Sequence, residues 1–217
     1  MPQPVAPGMS ETARVEAFSD GVFAIAITLL VLEIQVPSPE RTRQGATLLP
    51  ALRSLWPSYL GYLISFVTVG IMWANHHALF VYIRRSDRYF LLINVLFLMF
   101  IAFVPFPTAL LAEYLPVPDG RRFAVATYSA FFVVIALAYN AVWWYAAAGD
   151  RLLDPHADRQ AVETISRRFK IGPLSYAVSF GLAFINVWAS LAVHGLLAAF
   201  YVLPERKVSP HDHRSGR

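Results

Sequence analysis

The chain has 217 residues, 57% hydrophobic and only 15% charged, with 18 Lys and Arg against 14 Asp and Glu and no cysteine. A soluble domain carries about 25% charged residues; the deficit here, with the charges gathered between long uncharged runs, excludes an ordinary soluble domain and predicts an integral membrane domain. The missing cysteines exclude disulfides, thiolate metal sites and cysteine nucleophiles, and the formal charge of +4 reads as a membrane protein's Lys/Arg bias, not as a nucleic-acid surface.

Residues 1–13 are polar and contain proline, and are read as a cytosolic segment without a removable signal peptide. The first apolar run, 18–34, predicts a membrane span. A polar connection follows, with Pro37, Pro39 and Pro50, and ends in a short interfacial helix over 48–56. Span 2 is predicted over 58–82 and holds "WANHH" in its last third. Span 3 covers 89–111, with Pro105 and Pro107 near its end, and span 4 covers 123–148. Residues 149–170 are the most charged and read as a cytosolic loop or a surface helix, with Asp150, Asp154 and Asp158 at i, i+4 and i+8 read most simply as a solvated helix face. The run 171–203 has no acid, Lys or Arg. As one helix it would be about 50 Å long at about 1.5 Å per residue, against a hydrocarbon core of about 30 Å. A pair of short helices turning near Asn186 fits better. The expected fold class is therefore all-α and integral to the membrane, with six transmembrane helices over 14–204 and a disordered cytosolic tail over 205–217.

The charge pattern agrees with that count. Six spans place Arg84, Arg85, Arg88, the basic residues of 151–170 and the tail's Arg206, Lys207, Arg214 and Arg217 on the same side as Arg14. Arg41, Arg43, Arg53, Arg121 and Arg122 remain opposite. Five spans would move the tail across and erase the bias. The positive-inside rule thus predicts a multi-pass protein of the cell membrane with both termini cytosolic.

The first span opens on "RVEAFSD". Asp20 lies just inside the apolar run, where an ionised carboxylate prefers protein or water to lipid. Two readings stand. In one, Asp20 sits in the first turns of the helix, where the dipole favours an anion, and Arg14 lies near lipid phosphates. In the other, Ser19 and Asp20 meet donors from span 2, namely Trp73, Asn75, His76 and His77, in an inter-helix polar cluster. Glu16 is read as solvated. His76 and His77 point about 100° apart on a helix, so they do not share a metal. Further along, Ile25, Thr28, Leu29 and Leu32 fall on one helical face, which by itself suits lipid, another helix or a pore.

"RVEAFSD", with Arg14, Phe18, Ser19 and Asp20 at R-x-x-x-F-S-D, and its continuation "GVFAIAITLLVLEI" resemble the first helix of the lysosomal potassium channel family, in its prokaryotic branch. The six-span layout and "WANHH" are similar too. The resemblance implies a potassium-selective channel that assembles as a homotetramer in the lipid bilayer, with helix 1 lining the central pore. It assigns Ile25 to an inner aliphatic constriction, Thr28 to a hydroxyl layer and Leu32 to an outer constriction, with Leu29 bordering them. K+ is then the permeant ion and no cofactor is expected. The chain lacks the T-V-G-Y-G loop of carbonyl filters. Glu33 either faces the outer mouth, where it concentrates cations, or meets headgroups or an outer Arg. The rival reading is a proton-coupled secondary transporter using Asp20 and His76 or His77. No catalytic constellation is found, and His194, alone on an apolar helix, reads as a packing residue.

Overall fold

The computed structural model describes residues 11–37 and 47–202. The expected tail over 205–217, nearly all of the N-terminal segment 1–13, and Arg41 and Arg43 lie outside these residues. The described chain is a helical bundle: α1 Glu11–Leu29, continued by a 3₁₀ turn Leu30–Glu33; α2 Leu48–Ser54; α3 Trp56–Phe80; α4 Arg88–Phe103; α5 Pro105–Tyr114; α6 Pro118–Ala147; α7 Arg159–Arg168; α8 Ile171–Ala183; and α9 Val187–Val202. By length and composition, four helical stretches are fit to cross a membrane: Thr12–Glu33, Trp56–Phe80, Arg88–Tyr114 and Pro118–Asp150.

Local chemistry explains most boundaries. The predicted third span is broken at Val104, because Pro105 has no N–H to give the carbonyl of Ile101 and its ring clashes there. The Val104 amide takes that carbonyl instead, at 3.2 Å. Helix α9 starts where Asn186 Oδ1 accepts the amides of Trp188 (2.9 Å) and Ala189 (3.1 Å), an N-cap at the turn expected from the sequence. The predicted acidic helix face does not exist. Gly149 and Asp150 adopt positive φ, which ends helical progress, and Asp158 is the N-cap of α7 through the Gln160 amide. The connection after α3 docks on the connection after α6: the amides of Arg84 and Arg85 donate to Leu152 O, and Arg84 Nε donates to Asp154 Oδ2 at 3.1 Å.

Helix α6 is the hub of the bundle, packing against α4, α5, α8 and α9. Phe132, Ile135, Tyr128 and Trp143 are fully buried there. Hydroxyls tie the apolar core together. Ser65 on α3 bonds both Thr108 on α5 (2.7 Å) and Tyr128 on α6 (2.8 Å). Ser129, Ser179 and Ser190 form a second knot, which His194 joins through Ser129 at 3.1 Å. Hydroxyls so paired let helices approach closely at little polar cost.

Asp87 caps α4, accepting the Phe90 amide at 2.8 Å and the Tyr145 hydroxyl at 2.8 Å. The Phe90 amide, foremost, holds its carboxyl below the ordinary 3.8, with help from Tyr145 and Arg151. A carboxylate with a depressed folded pKa contributes stability that is present above the unfolded value and lost as pH falls through the folded one. Thermal stability should therefore decline as pH is lowered through and below 3.8. Asp87→Asn, followed by melting temperature against pH, should flatten that decline; an unchanged profile would discount the cap.

Candidate functional site: an anchored helix with a free apolar face

Helix α1 has two unlike faces. Ser19, Phe23, Ala26 and Leu30 are buried, at the 3.6-residue spacing of one stripe. This face packs on α3 and α4. The opposite face is open. Ile25 is 62% exposed, Leu32 68% and Leu29 40%, with Gly21, Ala24 and Thr28 exposed beside them.

The buried face is held by a polar relay. Ser19 Oγ donates to Val15 O at 2.8 Å and accepts from Asn94 Nδ2 at 3.0 Å. Asn94 Oδ1 lies 3.0 Å from His76 Nε2. Because the amide nitrogen of Asn94 faces Ser19, its oxygen must accept, so His76 carries its proton on Nε2. Ser19, His76 and Asn94 are all buried. Three rings wall in the imidazole: Phe80 at 5.0 Å, Phe23 at 5.5 Å and Phe97 at 5.6 Å, the last stacked. The relay thus joins α1, α4 and α3 inside an aromatic cage.

A second set of contacts lies nearer the surface. Trp73 Nε1 donates to Asp20 Oδ1 at 2.9 Å, and His77 Nδ1 lies 2.7 Å from Glu16 Oε1. The Trp73 and His77 rings stack at 6.4 Å. Arg14 and Phe18 face a surface hollow beside Ser86 and Asn94.

Several sequence expectations change here. Helix α1 begins at Glu11, so Asp20 lies roughly two to three turns inside it. The helix-dipole account of Asp20 fails for that reason, since the effect dies out within the first turn. Glu16 is paired with His77, not merely solvated. Asn75 does not join Asp20. Two residues beyond Trp73 it points roughly 200° away on the helix, into a cavity with Tyr139 and Asn140. The amide that joins the network is Asn94, which sequence reasoning missed. Its signal was present: Asn94 is the one amide in the apolar run "RYFLLINVLFLMFIAF", and an amide in such a helix needs a partner.

On the open face, Thr28 Oγ1 donates to Ile25 O at 2.8 Å. Its proton is therefore taken, and its oxygen lone pairs remain as acceptors. The 3₁₀ turn over Leu30–Glu33 places Leu29 and Leu32 in near eclipse.

A relative from Chamaesiphon minutus, named a potassium channel, is 50% identical over 198 residues, covering 91% of this chain and 97% of its own. The chain belongs to the TMEM175 family. The family described as endosomal/lysosomal potassium channel TMEM175 matches residues 14–105, the stretch that contains the whole relay and the open stripe. A Streptomyces collinus relative, also named a potassium channel, is 48% identical over 193 residues, covering 89% of this chain and 92% of its own. The crystal structure of a potassium-selective TMEM175 homologue from Chamaesiphon minutus superimposes with a TM-score of 0.81 at 47% identity, over 89% of this chain and 97% of that one. The TMEM175 relationship therefore extends through α6–α9 as well.

Proposed function

We propose that the protein is a potassium-selective channel of the cell membrane, assembled from identical chains around α1. The observation that carries this reading is the asymmetry of α1. Its rear face is fixed by a buried relay, while its front face presents Ile25, Thr28 and Leu32 to no other part of the described chain. Lipid alone would accept the aliphatic side chains but gains nothing from a row with a hydroxyl between them. Four copies of the stripe would narrow a path at Ile25 and Leu32, where hydrophobic constrictions gate by dewetting. Potassium gives up its water more readily than sodium, and the Thr28 oxygens replace part of the lost shell. Leu29 borders this path.

The same reading makes α8 and α9 the fifth and sixth spans of a 14–204 domain, with both termini cytosolic. Arg14, Phe18, Asp20 and the cluster around Trp73, His76 and His77 act as an anchor that keeps the pore helix in register. The rival carrier would couple protons through Asp20 with His76 or His77, whereas Asp20 is bonded to an indole, His76 to an amide and His77 to Glu16.

The decisive test is flux from liposomes loaded with potassium chloride, with a protonophore providing charge balance, repeated with sodium. Fast potassium efflux and much slower sodium efflux are expected. No efflux of either ion from folded, oligomeric protein would reject the channel.

A further inference from the structure

Two residues of the first-helix motif, Arg14 and Phe18, take no part in the relay or in the contacts around Asp20. They line a groove between α1 and α4 that has about 400 Å³ of room, within the range of clefts that take small molecules. Both helices begin at its mouth, where Arg14 stands from the first turn of α1 and Ser86 from the connection just before α4. Phe18, Leu91 and Val95 line the rest and are exposed. At about 1.5 Å per residue, Phe18 lies about 6 Å further along its helix than Arg14, and Val95 as far beyond Leu91. The groove is thus polar where the two helices start and apolar one to two turns deeper.

Its charge has one sign. Among the residues that line it, Arg14 is cationic and none is acidic. Neither the Arg14 guanidinium nor the Ser86 hydroxyl has an ion-pair or hydrogen-bond partner among the described residues. The side chain of Arg88 has none either, and it stands three residues before Leu91 and seven before Val95, on the same face of α4. Asn94 closes the back of the groove, but its oxygen faces His76 and its nitrogen Ser19, so recognition falls to Arg14 and Ser86.

We propose that this groove holds an anionic phospholipid of the cytosolic leaflet, its phosphate on Arg14 and Ser86 and one acyl chain against Phe18, Leu91 and Val95. A guanidinium takes a phosphate through two N–H donors at once, and anionic lipids of that leaflet attract unpaired arginines. A choline head would bring an ammonium group beside Arg14 and Arg88, with no acid lining the groove to receive it. Free phosphate would leave the apolar strip bare. A second copy of the chain offers Arg14 less, because the acids at this level of α1, Glu16 and Asp20, already bond His77 and Trp73. The leaflet follows from the orientation proposed above; the binding chemistry depends neither on it nor on conduction.

The probes are phosphatidylglycerol and phosphatidylcholine bearing the same diazirine acyl chain. The full-length, assembled protein in phosphatidylcholine nanodiscs is photolabelled, digested and mapped, with the exposed Leu174 and Val178 of α8 as the reference for random contact. Against that reference, the phosphatidylglycerol probe should label 14–18 and 91–95 about fivefold more than the phosphatidylcholine probe. Arg14→Gln should lower this labelling about tenfold, and Arg14→Lys, which keeps the charge, should lower it less. Val95→Trp, at an exposed position that leaves the core alone, fills the strip and should abolish it. Equal labelling by the two probes would overturn the anionic head. Equal losses in the Gln and Lys variants would make Arg14 a structural residue of α1 and overturn its role in binding. Displacement by millimolar inorganic phosphate would overturn the lipid as occupant. An unlabelled groove in the assembled protein would mean that a second copy covers it, which also rejects the proposal. None of these readouts uses ion flux, so the lipid site and the channel reading fail separately.

Discussion

Replacing Ile25 or Leu32 with Asn should lower the potassium-over-sodium permeability ratio by about tenfold. Tenfold corresponds to about 1.4 kcal/mol, a small sum for a change repeated in every subunit around a constriction. An aliphatic ring discriminates by refusing to solvate, so each ion must shed water, and sodium loses more by it. An amide at the same place hydrates the path and offers carbonyl oxygen to both ions, which removes the difference. Reversal potentials in asymmetric potassium and sodium solutions give the ratio directly. Leu92→Asn is the control, because Leu92 is an equally exposed apolar residue on α4, outside the stripe. If both stripe variants conduct with an unchanged ratio, the hydrophobic filter is wrong; if Leu92→Asn lowers the ratio as much, selectivity does not reside on α1.

The helices themselves were largely readable from the sequence, because hydrophobic run length and proline placement act locally. The turn at Asn186 followed from the mismatch between an uninterrupted apolar run and the thickness of a bilayer. The limits of α1 were less readable. Glu11, Arg14 and Glu16 interrupt the apolar pattern without interrupting the helix, since all three are good helix formers. Partnership was hardest to see. Which of Asn75, His76 and His77 meets α1 depends on the rotation of α3, and a single helical turn presents polar groups on all sides. Asn94 became essential only because α3 and α4 both pack on the same face of α1. The acidic residues of 149–158 misled because spacing by four presumes a helix, whereas Gly149 and Asp150 bend the backbone out of it. The stripe on α1 was visible as a pattern, but its exposure is a property of packing, and its meaning required the relay behind it.

That relay supplies the second large effect. Asn94→Leu leaves His76 Nε2–H buried with no acceptor and deprives Ser19 of its inter-helix donor. Two scales compete for the magnitude. Hydrogen bonds between membrane helices average about 0.6 kcal/mol and reach about 1.7, because the unfolded chain also finds partners in the membrane. Orphaning a buried donor costs about 1–3 kcal/mol. Here the aromatic cage of Phe23, Phe80 and Phe97 gives His76 no alternative partner, so the larger scale applies. For a chain of this size about 2–4 °C of melting temperature is lost per kcal/mol, and Asn94→Leu should fall by roughly 2–12 °C on those combined ranges. The double variant His76→Phe with Asn94→Leu should recover much of the loss, since replacing both partners by apolar groups removes the orphan. Thermal melts in one detergent read this coupling, and the cycle separates it from cavity effects. A single variant as stable as the parent, or a double variant that loses the sum of the two single losses, would reduce the relay to ordinary packing. Coupling of the expected sign would mean that the rear face of α1 is specified by hydrogen bonds, which leaves its aliphatic front face free to be selected for what passes along it.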